Sequence, residues 1–209
     1  MKKIIFDLDN TLLFLSDEWL NVYDKFREKY SLNVSSIEMF KTIGTIEVNN
    51  KDKIINHDFF INYINENLSQ NYDENMGKEI LEEYAKIPLL KVDIVEDVLK
   101  YLSSKYEIIA YTNWFTDNQI YRLKINNLDK YFTKIYGWDI LPVKPSKKGL
   151  EEIVNGSDIN DYIFIGDNID ADMVIPDEMG MKTIFYNNKG IVQDKYKEVK
   201  NIEELKNIL

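Results

Sequence analysis

The chain carries two hydrophobic rhythms. Short apolar runs bounded by polar clusters occur at Lys3-Ile4-Ile5-Phe6, Glu107-Ile108-Ile109-Ala110-Tyr111, Asp161-Tyr162-Ile163-Phe164-Ile165 and Lys182-Thr183-Ile184-Phe185-Tyr186, with a weaker one at Lys134-Ile135-Tyr136. Runs this short predict buried parallel strands, which are apolar on both faces. Between them the period becomes helical. Residues 93–104 place Ile94, Val95, Val98, Leu99 and Leu102 on one face. Residues 116–126 place Ile120, Leu123 and Ile125 around a charged face. A helix over 146–154 starts at a Ser146 cap and stops before Gly156, and one over 170–179 ends at Gly180. Strands alternating with helices predict an α/β fold with a parallel sheet.

The alternation breaks once. From about Ser16 to Ile87 the pattern is helical throughout. Residues 16–30 align Trp19, Leu20, Tyr23 and Phe26; residues 58–68 align Phe59, Phe60, Tyr63, Ile64 and Leu68; residues 75–87 align Ile80, Leu81 and Tyr84 ahead of Pro88. The expected organisation is a Rossmann-like parallel-sheet core, residues 1–14 and 89–209, with a helical bundle, residues 15–88, inserted after the first strand. These boundaries rest on pattern alone, because no linker composition marks them. Aromatic residues at helical spacing are read as bundle core, with ligand contact as a secondary reading for Trp19, Tyr23, Phe26, Phe59 and Phe60. His57 reads as a surface or capping residue.

Composition narrows the chemistry. The 209 residues are 44% hydrophobic and 30% charged, an ordinary globular balance. With 0 Cys, a disulfide framework, a thiolate nucleophile and a Cys-ligated metal are excluded, and a single His makes a His-rich metal site or a Ser-His-Asp triad a poor fit. A net charge of -10 disfavours a polyphosphate backbone as partner, while a divalent cation with a few lysines can still bind a small phosphorylated ligand. The opening MKKIIFDLDNTLLFL superficially resembles a signal peptide, but Asp7 and Asp9 fall inside what would be its apolar core. No run approaches the ~18 apolar residues of a spanning helix. The expectation is a soluble, cytoplasmic protein with no membrane partner; oligomeric state is not readable.

Four short motifs sit at the predicted carboxyl ends of strands, where open α/β sheets bind ligands. Asp7-Leu8-Asp9-Asn10-Thr11 puts two carboxylates at i and i+2 on one side of the chain, able to divide nucleophilic and proton-transfer work. Thr112-Asn113 offers a hydroxyl and backbone N–H groups ahead of a helix. Lys144-Pro145 offers a compact cation, whereas Lys147 and Lys148 read as solvated. Gly166-Asp167-Asn168-Ile169-Asp170-Ala171-Asp172 offers oxygen ligands for a hard cation at Asp167 and Asp172, with Asp170 facing solvent. Each motif alone also reads as a strand end or helix cap.

Taken in this order, the four motifs resemble those of the haloacid dehalogenase-like hydrolase superfamily, over nearly the full chain. The insert is similar to that family's first cap type, and Thr112–Phe132 is similar to members grouped with nucleotidases and small phosphatases. The resemblance implies Mg2+-dependent phosphoryl transfer. Asp7 would be the nucleophile and Asp9 the general acid and base. Thr112, the Asn113 backbone and Lys144 would bind the phosphoryl group, and Asp7, Asp9, Asp167 and Asp172 would hold the metal. The expected substrate is a small phosphorylated metabolite, such as a nucleotide or sugar phosphate, and not a nucleic acid polymer. Two positions depart from the pattern: Trp114 follows the Thr-Asn pair where relatives often carry Gly, and Ala171 stands where many carry Asn. Three other readings compete. A dehalogenase would have little use for Asp9, a phosphomutase or phosphotransferase would use the same residues with another acceptor, and a non-catalytic binding domain would ordinarily have lost part of the set.

Overall fold

The computed structural model describes residues 2–68 and 73–209. Strand β1 (Lys3–Phe6) leads into a short β2 (Phe14–Leu15). Four helices follow, α1 (Trp19–Lys29), α2 (Ser36–Asn49), α3 (His57–Leu68) and α4 (Glu74–Ala85), before β3 (Leu89–Leu90) returns antiparallel to β2. The chain then runs through α5 (Val92–Ser103), β4 (Glu107–Tyr111), α6 (Thr116–Ile125), β5 (Lys134–Tyr136), α7 (Lys147–Val154), β6 (Tyr162–Gly166), α8 (Val174–Glu178), β7 (Lys182–Tyr186), β8 (Glu198–Val199) and α9 (Leu205–Ile208). Among the described residues, six strands form one parallel sheet in the order β5-β4-β1-β6-β7-β8. This is the Rossmann-like α/β core that the strand–helix alternation predicts. No helix among the described residues is long and apolar enough to cross a membrane.

Alternation along the strands builds two cores. Ile4 and Phe6 pack with Val95 and Leu99 of α5 and Leu205 of α9, while Ile5 faces the other side with Leu150 and Ile153 of α7. A third apolar cluster lies in the insert. It joins Tyr23, Ile43, Phe60 and Ile80, one from each of its four helices, to Trp114, Phe115 and Trp138 from loops at the carboxyl edge of the sheet. The bundle is therefore packed directly on the edge that carries the motifs. Because β1 pairs with β4 on one side and β6 on the other, the order in which strands are added reverses beside β1, and a crevice opens at the ends of these three parallel strands.

Three local readings need correction. Helix α2 was not among the three helices expected in the insert. Its apolar positions run around much of its surface, leaving Ile37, Phe40 and Val48 exposed, so its stripe is weak. The signal lay at its start, where Ser35 and Glu38 form a reciprocal capping box. In α6 the expected face holds only in part: Leu123 is buried and Ile120 half-buried as expected, but Ile125 is 47% exposed while Gln119 and Arg122 are buried. Burial there follows from polar partners in the crevice, which hydrophobic periodicity does not register. The single helix over 170–179 is instead a π-helical turn, Ile169–Met173, followed by the short α8.

Candidate active site

β1 ends by projecting Asp7 into the crevice. Its N–H still donates to the Ile165 carbonyl of β6 at 2.9 Å, so Asp7 extends the ladder by one step. The following turn uses Asn10 at φ 63, a left-handed conformation that Asn tolerates better than most residues. That turn brings the Thr11 hydroxyl back to donate to Asp7 Oδ2 at 3.0 Å. Asp9 leaves the same turn on the bundle side, half-buried.

Lys144 reaches Asp7 from the loop before α7. Its buried ammonium lies 2.7 Å from Asp7 Oδ1 and 2.6 Å from Asp172 Oδ1. The rings of Tyr111 and Phe164 flank it at 5.8 and 5.7 Å. Asn113 holds the loop, accepting from the Lys144 N–H at 2.7 Å and donating to its carbonyl at 3.2 Å. Asp172 reaches the crevice because the wide turn after β6 folds back: its N–H donates to the Asn168 carbonyl, and its carboxylate accepts from the Asn168 N–H at 3.1 Å. Gly166 is required by this approach, since a Cβ there would stand 2.3 Å from Asp172 Oδ2.

The carboxylates of Asp7, Asp167 and Asp172 each offer an oxygen within 4.8 Å of the others, all three residues being buried. Lys189 closes the far side at 2.7 Å from Asp167 Oδ2. Burial pushes the Asp7 carboxyl well up and the Asp172 carboxyl up. On Lys144 burial acts to lower the pKa, but Asp172 and Asp7 outweigh it and hold the ammonium above its usual value. Crowded carboxylates in a desolvated pocket are a strained arrangement that a cation relieves. An all-oxygen donor set of this kind suits a hard ion such as Mg2+.

Thr112 closes the crevice from β4. Its N–H donates to the Tyr136 carbonyl, and its hydroxyl accepts from Gln119 Nε2 at 3.1 Å. The start of α6 is already capped: Asp139 Oδ1 accepts from both the N–H and the hydroxyl of Thr116 at 2.8 Å. The cavity among these groups measures about 260 Å3 and includes Asp7, Asp9, Thr112, Asn113, Lys144, Asp167 and Asp172. All seven site candidates from four separate stretches therefore meet in one place. Asp170, Lys147 and Lys148 remain exposed outside it.

This geometry accords with the sequence comparison. A sequence model described as haloacid dehalogenase-like hydrolase matches residues 4–186. The chain belongs to the haloacid dehalogenase-like hydrolases. No curated protein sequence matches it. Among solved structures it is similar to the magnesium-bound YfnB of Bacillus subtilis, a HAD-hydrolase by description, at TM-score 0.77 and 18% identity over 99% of this chain and 97% of the other. It is similar to a 2-haloacid dehalogenase of Pseudomonas syringae at 0.73 and 19%, over 100% and 98%. It is also similar to a HAD phosphatase of Thermococcus onnurineus at 0.67 and 22%, over 100% and 97%. At these identities the likeness establishes the fold, so chemistry must come from the residues themselves.

Several residues of this hydrolase were not singled out from sequence. Arg122, 1% exposed, places Nη1 2.7 Å from Asp9 Oδ1, and Gln119 donates to Asp9 Oδ2 at 2.6 Å. Their signal was a polar pair at i and i+3 beside an apolar residue on α6. Glu47 of α2 accepts from Asn113 Nδ2 at 3.0 Å, and burial pushes its carboxyl up. Lys189 and Glu47 carried no motif, since each stands in a stretch without other candidates. Trp114, the departure after the Thr-Asn pair, packs against Tyr84 and Phe60 of the bundle and donates its indole N–H to Asn118. His57 opens α3 and stacks on Phe115 at 4.2 Å.

Proposed function

We propose that this hydrolase is a Mg2+-dependent phosphatase acting on small phosphomonoesters in the cytoplasm. The observation that supports it best is the pairing of a buried Asp7, held by Lys144 and Thr11, with Asp9 in the same cavity on the bundle side. A dehalogenase forming an ester on Asp7 expels a halide, which needs no proton. A phosphatase expels an alkoxide, which does, and Asp9 is the acid placed to supply it.

Asp7 Oδ attacks phosphorus, the bond to the leaving oxygen breaks, and its electron pair takes the proton of Asp9. An aspartyl-phosphate and a free alcohol result. Asp9, now ionised, takes a proton from water; the hydroxide attacks phosphorus, releasing phosphate and restoring Asp7. Arg122 and Gln119 hold the Asp9 carboxylate between these steps. The Thr112 hydroxyl, the Asn113 backbone N–H and Lys144 bind the transferring oxygens. Asp7, Asp167, Asp172 and the Asp9 backbone carbonyl would hold Mg2+, Asp172 also orienting Lys144. When bound, the ion neutralises charge: three carboxylates and a phosphate dianion bring about five negative charges together, and Lys144 with Lys189 offsets two of them.

Residues 15–88 act in this reading as a cap of the first type over a core of residues 1–14 and 89–209, and the likeness of Thr112–Phe132 to phosphatases grouped with nucleotidases supports the same reaction type. The cap excludes bulk water and receives the leaving group. Phosphate release from a generic aryl phosphate tests the reading. Turnover is expected with Mg2+, and is expected to vanish with a chelator and in Asp7→Asn. Turnover that survives Asp7→Asn would overturn it.

A further inference from the structure

The site cavity continues into a second cleft of about 130 Å3 under the bundle. The two share Asp9, Glu47 and Asn113, so whatever is attached to a phosphoryl group at Asp7 passes Asp9 and enters this cleft. Its walls are aromatic. Trp114 lies 5.0 Å from Tyr84 and 5.2 Å from Trp138, and Tyr23 packs edge-on against Phe40 at 6.1 Å.

Among the described residues, one charged group other than Asp9 lines this cleft, and it is an acid, Glu47; the Arg122 guanidinium lies behind, over the Tyr84 ring at 5.4 Å and paired with Asp9. Asn113 is the hydrogen-bond donor to Glu47, and among the described residues Glu47 forms no ion pair. A half-buried carboxylate lining the same cleft as aromatic rings offers a cation a counter-charge and negative ring quadrupoles. One helical turn before Glu47 stands Gly44, where an added Cβ would meet nothing within 4 Å. A glycine inside a helix costs about 1 kcal/mol against alanine; here it leaves the cleft open between Phe40 and Glu47.

We infer that this cleft selects phosphomonoesters of small amino alcohols, holding a substituted ammonium head between Glu47 and the rings of Tyr23, Tyr84, Trp114 and Trp138. The inference rests on the phosphatase reading for the fate of the phosphoryl group, but not for binding of the head. Beyond Asp9 the polar groups of the walls are Glu47, Asn113 and the tips of the tyrosine and tryptophan rings, and of these Glu47 is the one that carries a charge for a cation to meet.

The test uses the leaving groups themselves on the wild-type protein. Choline and its uncharged carbon isostere, 3,3-dimethylbutanol, are titrated while following tryptophan fluorescence, with glycerol and uridine alongside. Choline is expected to bind at least about tenfold more tightly than the isostere. Glu47→Gln is expected to erase that preference, and Gly44→Leu, which fills the cleft, to weaken both ligands. Equal binding of choline and isostere, no detectable binding of choline, a preference that survives Glu47→Gln, or tighter binding of glycerol or uridine would each overturn the inference. Hydrolysis of choline phosphate and of an aryl phosphate is measured separately. If choline binds as expected and neither ester is hydrolysed, the phosphatase reading fails while the ammonium site stands.

Discussion

The carboxyl edge of the sheet and the helical bundle above it are built on opposite principles. At the edge the buried groups are charges. Buried Lys144 serves Asp7 and Asp172, buried Arg122 serves the half-buried Asp9, and Lys189 reaches in from the surface to the buried Asp167. Taking such charges out of water costs free energy that their mutual attraction returns only in part, so these pairs are held for chemistry more than for stability. In the bundle the buried groups are apolar and aromatic, while the ion pairs Lys29–Glu79, Lys78–Glu74 and Lys86–Glu83 sit on its surface and contribute little. Stability and reactivity are thus divided between two layers that meet at Trp114, Phe115 and Trp138.

That division predicts opposite responses to mutation. Asp7→Asn should cost about 10^4-fold or more in turnover, while the melting temperature stays level or rises, because an amide replaces a desolvated carboxylate. Parallel loss of activity and of melting temperature would break the contrast. Phe115→Ala acts on the other layer. Fully buried between His57, Phe60 and Trp138, it should cost about 3–5 kcal/mol in denaturant unfolding. Its signature is a fall in the midpoint before activity is lost at low denaturant.

Arg122→Met tests whether a buried guanidinium orients Asp9 or only fills space. Its Nε and Nη2 lack hydrogen-bond partners, so removing the charge relieves two buried donors and methionine keeps most of the packing. We expect about a 10- to 100-fold fall in kcat with little change in thermal unfolding. Unchanged kcat would show that Asp9 needs no holder. The smallest effect is expected at Gly44→Ala, which should stabilise the chain by about 0.5–1 kcal/mol, since the helix gains a better former and the new methyl enters open space. A loss of stability there would mean that the bundle closes onto α2.

The two layers also differ in how far they could be read in advance. At the edge, strand ends impose their chemistry on short stretches of sequence. Asp7, Thr112 and Asp167 follow apolar runs, so strand pattern and motif together located them; Lys144, expected at a strand end, lies instead in the loop between β5 and α7 and was located by its Lys-Pro pair alone. Residues that serve those groups from the side were hidden. Arg122 and Gln119 interrupt the apolar face of α6, and their burial depends on Asp9, more than a hundred positions away in the chain. The fold-back of Asp172 depends on a π-helical turn for which 3.6-residue periodicity has no template. In the bundle, α1, α3 and α4 showed their stripes, but in α2 the buried stripe of Met39, Ile43 and Ile46 is blurred by the apolar residues Ile37, Phe40 and Val48 on its other faces. The helix hardest to read supplies Phe40, Gly44 and Glu47 to the cleft.

The central claim is a phosphoryl group carried on Asp7. The most direct measurement is to quench the enzyme in acid during turnover of an aryl phosphate with Mg2+, digest it, and locate any covalently bound phosphoryl group. The account predicts that group on Asp7, discharged by hydroxylamine and absent from Asp7→Asn. A phosphoryl group on any other residue, or turnover by Asp7→Asn, would contradict it.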